Sequence, residues 1–228
     1  MTQKRILLPT LGHDDWKNHL AQPDAHWKPG KSAMCAAIAW EQAKGLPRDV
    51  GELFTQSGIE DFRDLSLALA IPEYKVALDG GNACSQNDLF CVLTSASGLT
   101  CMTVEAKAGE DFDVTMEEWQ KRTSESGAAI RLGHIMSKIG LSLPIPPNVR
   151  YQLLHRMASA VIESERFHAK NAVMLVQSFP TSTNTCNDHF DDFQNFVSLY
   201  NKEASKNQLL RLASVGHIAV YAAWIDSR

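Results

Sequence analysis

The sequence has no long apolar run, no paired cysteine motif and no excess of basic charge, and each absence removes a class of function. No stretch approaches the roughly 18 apolar residues of a membrane span, and the apolar run near the N-terminus is far too short for a signal-peptide core. Membrane insertion and secretion are not expected, and a cytoplasmic location is. The five cysteines, Cys35, Cys84, Cys91, Cys101 and Cys186, are odd in number and never stand in CxxC spacing. That argues against a zinc knuckle or redox dithiol and suits a reducing compartment. There is no Walker phosphate loop, no GxGxxG after a strand and no GxSxG nucleophile turn around Ser85 or any other serine. Nucleotide-driven motors, dehydrogenases and serine hydrolases are thereby disfavoured. Net charge is −4, the wrong sign for binding nucleic acid through a broad basic surface, so any such contact has to be concentrated in a cleft.

What is present is ordinary globular composition. With 228 residues and 44% hydrophobic content, the chain can bury one substantial core, and one α/β domain spanning 1–228 is expected. The stretch 31–44, KSAMCAAIAWEQAK, has helical spacing, with Ser32 as the expected N-cap and Gly45 as its stop. Two further helical stretches are expected at 49–56 and 60–70. Three short extended runs follow at 74–78, 89–94 and 99–107, separated by Asp79-Gly80-Gly81 and by 95–98, which reads as a strand meander. Helical patterns return in MEEWQKR, AAIRLGHIMSKIG and NVRYQLLHRMASAVIESERFH. A buried-type strand is expected at 172–179, a helix at 188–201 with Asp188 as its N-cap, and a last strand at 217–225.

The chemistry concentrates on the meander. Glu105 and Lys107 are two apart within a strand, so period-two alternation presents both from one side. Asp88 opens the preceding strand, and antiparallel pairing brings its carboxylate beside Glu105. Two carboxylates at one spot repel unless a cation lies between them, and Mg²⁺ or Mn²⁺ answers that need. A carboxylate-bound cation with a lysine alongside is the equipment of phosphodiester hydrolysis. The flanking runs LFCVL and CMTV are apolar, which makes a merely exposed Glu-x-Lys pair the weaker reading.

These residues, Asn87-Asp88 and Glu105-Ala106-Lys107, resemble the motif of the PD-(D/E)XK nuclease superfamily. The order of elements is similar too: helix, three-strand antiparallel meander, helix and strand, here over about 31–177, with 1–30 as an N-terminal extension and a C-terminal helix and strand over 188–225. The resemblance implies a restriction-endonuclease-like mixed sheet flanked by helices. It implies Asp88 and Glu105 as metal ligands, Lys107 as the catalytic lysine, Glu41 as a further ligand from the first core helix, and Gln152 as a catalytic glutamine. Asn87 stands where the motif has proline, and two helices separate the meander from Gln152.

Arg156 shares the polar line of the Gln152 helix and is a candidate phosphate contact. His155 reads as packing, and the Cys186-Asn187-Asp188-His189 segment lacks the remaining ligands of a metal site. The expected partner is nucleic acid, DNA before RNA, with a homodimer possible. A nuclease fold that binds nucleic acid or protein without cleaving stays open as the alternative.

Overall fold

The computed structural model describes residues 12–123, 125–180 and 189–227. Six strands form one mixed sheet in the order β1-β2-β3-β4-β6-β5. Strands β1 (Ser66–Val76), β2 (Ser85–Ser95) and β3 (Gly98–Lys107) make an antiparallel meander. Strand β4 (Asn171–Ser178) runs parallel to β3, β6 (Ile218–Asp226) parallel to β4, and β5 (Leu210–Val215) closes the far edge antiparallel to β6. Every residue of β4 is buried, as a central parallel strand covered on both faces requires.

Helices cover both faces. On one side lie α1 (Pro23–His26), α2 (Ser32–Ala43) and α3 (Arg48–Gln56), with Trp40, Leu53 and Phe54 packed against Met102, Val104, Ala106 and Leu175. On the other lie α4 (Met116–Arg122), α5 (Glu125–Ile139), α6 (Tyr151–Phe167) and α7 (Phe190–Ser198). There Leu154, Met157 and Val161 of α6 meet Met174, Val176 and Trp224. The parallel β3–β4 pairing needs a long crossover, and α4, α5 and α6 supply it.

The meander, the crossover helices and the strands at 172–179 and 217–225 follow the sequence expectation, and three stretches depart from it. The expected helix at 60–70 is a 3-10 turn, Glu60–Phe62, followed by the first half of β1. Across a register shift between Leu67 and Leu69, Leu67 and Ala70 pack on the α2 side while Leu69 and Ile71 pack on the other, and Pro72 is tolerated because β1 is the sheet edge. Strand β5 was not anticipated, since RLASV is short and half-exposed and takes its stability from pairing with β6. Ser32 is not the N-cap of α2 but its first residue. Its backbone N–H and hydroxyl both donate to Glu110 Oε1 at 3.2 Å, so a carboxylate from the loop after β3 satisfies the helix start. Left-handed Lys44, before Gly45, ends that helix. His189 holds the N-cap position of α7, and Asp188, with the rest of 181–188, lies outside the described residues.

Met157 is fully buried between α6 and the sheet. Met157→Ala should destabilise the fold by about 2–5 kcal/mol through lost burial and the cavity left behind. Urea unfolding of the two proteins measures the difference, and a loss within error would contradict this packing.

Candidate active site

The site forms where β2 and β3 part. Their ladder ends at the Leu89–Val104 pair, and Asp88 Oδ2 accepts from Ala106 N at 2.7 Å, a side chain taking over where backbone pairing stops. Asp88 shares the sheet face of Phe90, and Glu105 and Lys107 share that of Thr103, which pairs with Phe90. All three therefore stand on the α6 side, the face expected from strand alternation.

Glu105 is 3% exposed, and both its oxygens are engaged. Oε1 accepts from Gln152 Nε2 at 2.7 Å and pairs with Lys107 Nζ at 2.8 Å, while Oε2 accepts from Arg156 Nε at 2.6 Å. Burial by itself raises the pKa of this carboxyl. The charges and hydrogen bonds of Arg156 and Lys107 outweigh it and bring the value down to about 2. Lys107 also donates to Gln152 Oε1 at 3.2 Å and to the Asp111 carbonyl at 3.3 Å, and it sits 4.7 Å above the Phe112 ring. Gln152 Oε1 accepts in addition from Asp113 N at 3.1 Å. Gln152 and Arg156 stand one helical turn apart at the start of α6, so one helix face delivers an amide and a guanidinium to a single carboxylate.

Of the residues named from sequence, Asp88, Glu105, Lys107, Gln152 and Arg156 are thus brought together, and Glu41 is not. Glu41 belongs to α2, the helix layer on the opposite face of the sheet, and its Oε1 accepts from the Trp16 indole at 2.8 Å. The neighbouring third carboxylate is instead Glu73, on β1 beside Asp88 of β2. Arg156, the candidate phosphate contact, is buried and bonds Glu105 and, at 3.2 Å, Ser85 Oγ, so it positions Glu105.

Glu73 was missed because β1 was read as helix up to residue 70. It adopts φ 54° within a strand, a left-handed conformation costly for a residue with a Cβ. Its carboxyl accepts from Gln86 Nε2 at 2.5 Å. Burial drives its pKa up to about 7, with Glu105 adding to the rise and Arg156 opposing it. Asp88 is raised well above the usual range, first by burial, then by the charges of Glu105 and Glu73. Three carboxylates therefore share the compensation of Arg156 and Lys107. Among the described residues no group of three or more His, Cys, Asp or Glu side chains has metal-holding geometry, so any cation here rests on two carboxylates with solvent or backbone oxygen.

The structure also joins Ser85 and His155. Ser85 Oγ lies 2.8 Å from His155 Nδ1, and Arg156 Nη1 approaches both. An arginine only donates, so Ser85 Oγ accepts from Arg156 Nη1, while the direction of its contact with His155 Nδ1 is set by the histidine tautomer. Burial and the Arg156 charge push the His155 pKa well down, which favours the neutral ring. The pair braces Arg156, and among the described residues no acid partners this histidine as in a hydrolase triad.

Fold and site together define a mixed α/β protein with a buried carboxylate–lysine–arginine centre at the mouth of a split strand pair. Over residues 9–228 the chain matches the model of a family described as a domain of unknown function, DUF6946, and it belongs to that family. No curated protein and no solved structure matches the chain.

Because the folded Glu73 binds its proton more tightly than the unfolded chain does, its contribution to stability is present below about pH 4.5 and lost as pH rises through about 7. Glu73→Gln should therefore stabilise the protein at pH 8 and change little at pH 4.5. Urea denaturation at the two pH values checks this, and an equal effect at both would show that Glu73 is not perturbed in the fold.

Proposed function

We propose that this protein is a metal-dependent nuclease of the PD-(D/E)XK kind, hydrolysing phosphodiester bonds of nucleic acid, with DNA as the expected substrate. The observation that carries the reading is the convergence of Asp88, Glu105 and Lys107 on one sheet face at the end of the β2–β3 ladder. The order α2, β1–β2–β3 meander, α6 and parallel β4 supports it, being the order of the superfamily core.

The residues fit a Mg²⁺ or Mn²⁺ ion. Asp88 and Glu105 would hold it, because their oxygen donors suit a hard cation, and a cation would relieve the repulsion from Glu105 and Glu73 that helps raise the pKa of Asp88. When bound, the ion supplies polarisation of a phosphoryl oxygen and a lowered pKa for an attacking water. Lys107 keeps a compact ammonium beside the same carboxylate, where it orients water and opposes the charge that develops on phosphorus. Gln152 holds Lys107 and Glu105 at a fixed spacing, and Arg156 fixes the other edge of Glu105. Water exclusion comes from the α6 face, on which Glu105 and Lys107 are almost fully covered.

A second reading is favoured by one specific contact. Arg156 occupies Oε2 of Glu105 at 2.6 Å, an internal cation where a metal ligand would offer its oxygen, which suits a module that binds nucleic acid or protein without cleaving. One experiment separates the two. Purified protein is incubated with plasmid, linear and single-stranded DNA and with RNA, in Mg²⁺, Mn²⁺ or EDTA. Cleavage should require the metal. Lys107→Ala should keep metal binding and lose cleavage by a factor on the order of 10²–10³, while Asp88→Ala should lose calorimetric metal binding as well. Wild-type protein that binds no divalent cation and cuts nothing would leave the non-cleaving reading.

A further inference from the structure

We propose that the cleft between the β1–β2 loop and helices α4, α5 and α6 is a phosphate-binding subsite, anchored by Arg131, that holds a phosphate group of the strand beside the scissile one. Its place in a reaction rests on the nuclease reading, while its affinity for phosphate does not.

The cleft has a volume of about 390 Å³, within the size range of small-ligand sites. Arg131 lines it and is 8% exposed. Of the other arginines on this side of the sheet, Arg150, Arg156 and Arg166 each have a carboxylate within ion-pair reach. Arg131 has none among the described residues; its described hydrogen-bond partner is the neutral Tyr151 hydroxyl. A buried guanidinium without a counter-anion is costly, and an anion entering the cleft removes that cost. The geometry is fixed by a close approach. A Cβ on Gly80, at φ 84°, would lie 2.5 Å from both Arg131 N and Gly127 O, so only glycine lets the loop seat on α5. Arg131 Nη2 then lies 3.4 Å from the position of a Cβ on Gly81.

The remaining walls suit the same ligand. Gly81, Asn82, Ala83 and Cys84 line the cleft, and among the described residues their backbone N–H groups donate to no protein acceptor. His155 lines it as well. Trp119 and Tyr151 stack at 4.4 Å and give the cleft an aromatic wall, which favours a nucleotide over a bare ion. The acid facing the cleft is Asp113, whose exposed side chain stands at the rim. An arginine together with backbone N–H groups not engaged by the protein suits the oxygens of phosphate. The cleft also connects to the candidate active site: Ser85 and His155 line it and brace Arg156, which holds Glu105.

The test uses the full chain in EDTA, so that no cleavage intervenes. Inorganic phosphate, acetate, and oligonucleotides ending in a 5′-phosphate, a 3′-phosphate or hydroxyls are titrated calorimetrically and by amide chemical shifts of ¹⁵N-labelled protein. Phosphate should bind, shifting amides of residues 80–84 and 131, and acetate should bind far more weakly. Arg131→Gln should weaken phosphate binding about tenfold or more, Arg131→Lys less, and Lys107→Ala and Asp88→Ala not at all. A preference for one phosphorylated end assigns the subsite to a terminal phosphate, and equal binding of all oligonucleotides, still dependent on Arg131, to an internal phosphodiester. Absence of phosphate binding in the wild type, shifts confined to other regions, or acetate binding as tight as phosphate would overturn the proposal. The wild-type shifts decide it even if Arg131→Gln fails to fold. A protein that binds phosphate here but cleaves nothing with metal keeps the subsite and loses the nuclease reading.

Discussion

A carboxylate taken out of water has to be met by cations and donors wherever it goes, and Glu105 fixes much of this structure through that demand. Its two oxygens are met by Lys107 from its own strand and by Gln152 and Arg156 from the first turns of α6. Those contacts set both the rotation of α6 and its position along β3. The apolar side of the same helix, with Leu154, Met157 and Val161, is then aimed at the centre of the sheet. Because α6 must begin beside the end of β3 and return the chain to its start, β4 is delivered parallel to β3. Thr103 Oγ1 donating to the Arg156 carbonyl ties the strand to the helix a second time.

The parts of the fold legible in the sequence were those whose apolar pattern is set by their own burial. Helix α6 carries apolar residues at helix spacing along the side facing the sheet, and β4, covered on both faces, is a continuous apolar run. Asp88, Glu105 and Lys107 were legible for the same reason: alternation along two paired strands decides the face each side chain takes, whatever lies beyond. The failures occur where context outside the segment decides. Leucine and alanine over 65–70 favour helix locally, and pairing with β2 overrides them. Glu41 sits at the expected place on a helix, but the layer that helix joins is a property of the whole sheet. Glu73 and the α2 cap at Glu110 depend on residues distant in the chain, and no spacing rule reaches them. The Ser85–His155 contact is of this kind as well, its partners lying 70 positions apart in the chain.

Net charge is a coarse guide for a related reason. The chain is acidic overall, yet Lys107, Arg131 and Arg156 are gathered on one side of the sheet, all almost fully buried. Burial multiplies the effect of each, since a charge in low dielectric acts over a longer range than one on a hydrated surface. Lys107 and Arg156 are met by the buried Glu105, which leaves Arg131 as the buried cation at the cleft without a carboxylate partner among the described residues, and the whole-chain sum says little about the field there.

The balance between Glu105 and its neighbours bears on how such a site could work. Arg156 and Lys107 hold Glu105 ionised, while Asp88 and Glu73, close to the same charge, are pushed toward protonation. A divalent cation between Asp88 and Glu105 would reverse that push, because it favours the ionised form of both carboxylates. Its arrival would also compete with Arg156 for Oε2 of Glu105. A guanidinium displaced there would still be retained by Ser85 Oγ, itself held by His155, so the arginine would stay beside the site instead of swinging into solvent. On the nuclease reading, Arg156 would thus serve as the internal counter-ion that keeps Glu105 ionised and buried before metal binds, and the Ser85–His155 pair would limit how far it moves afterwards.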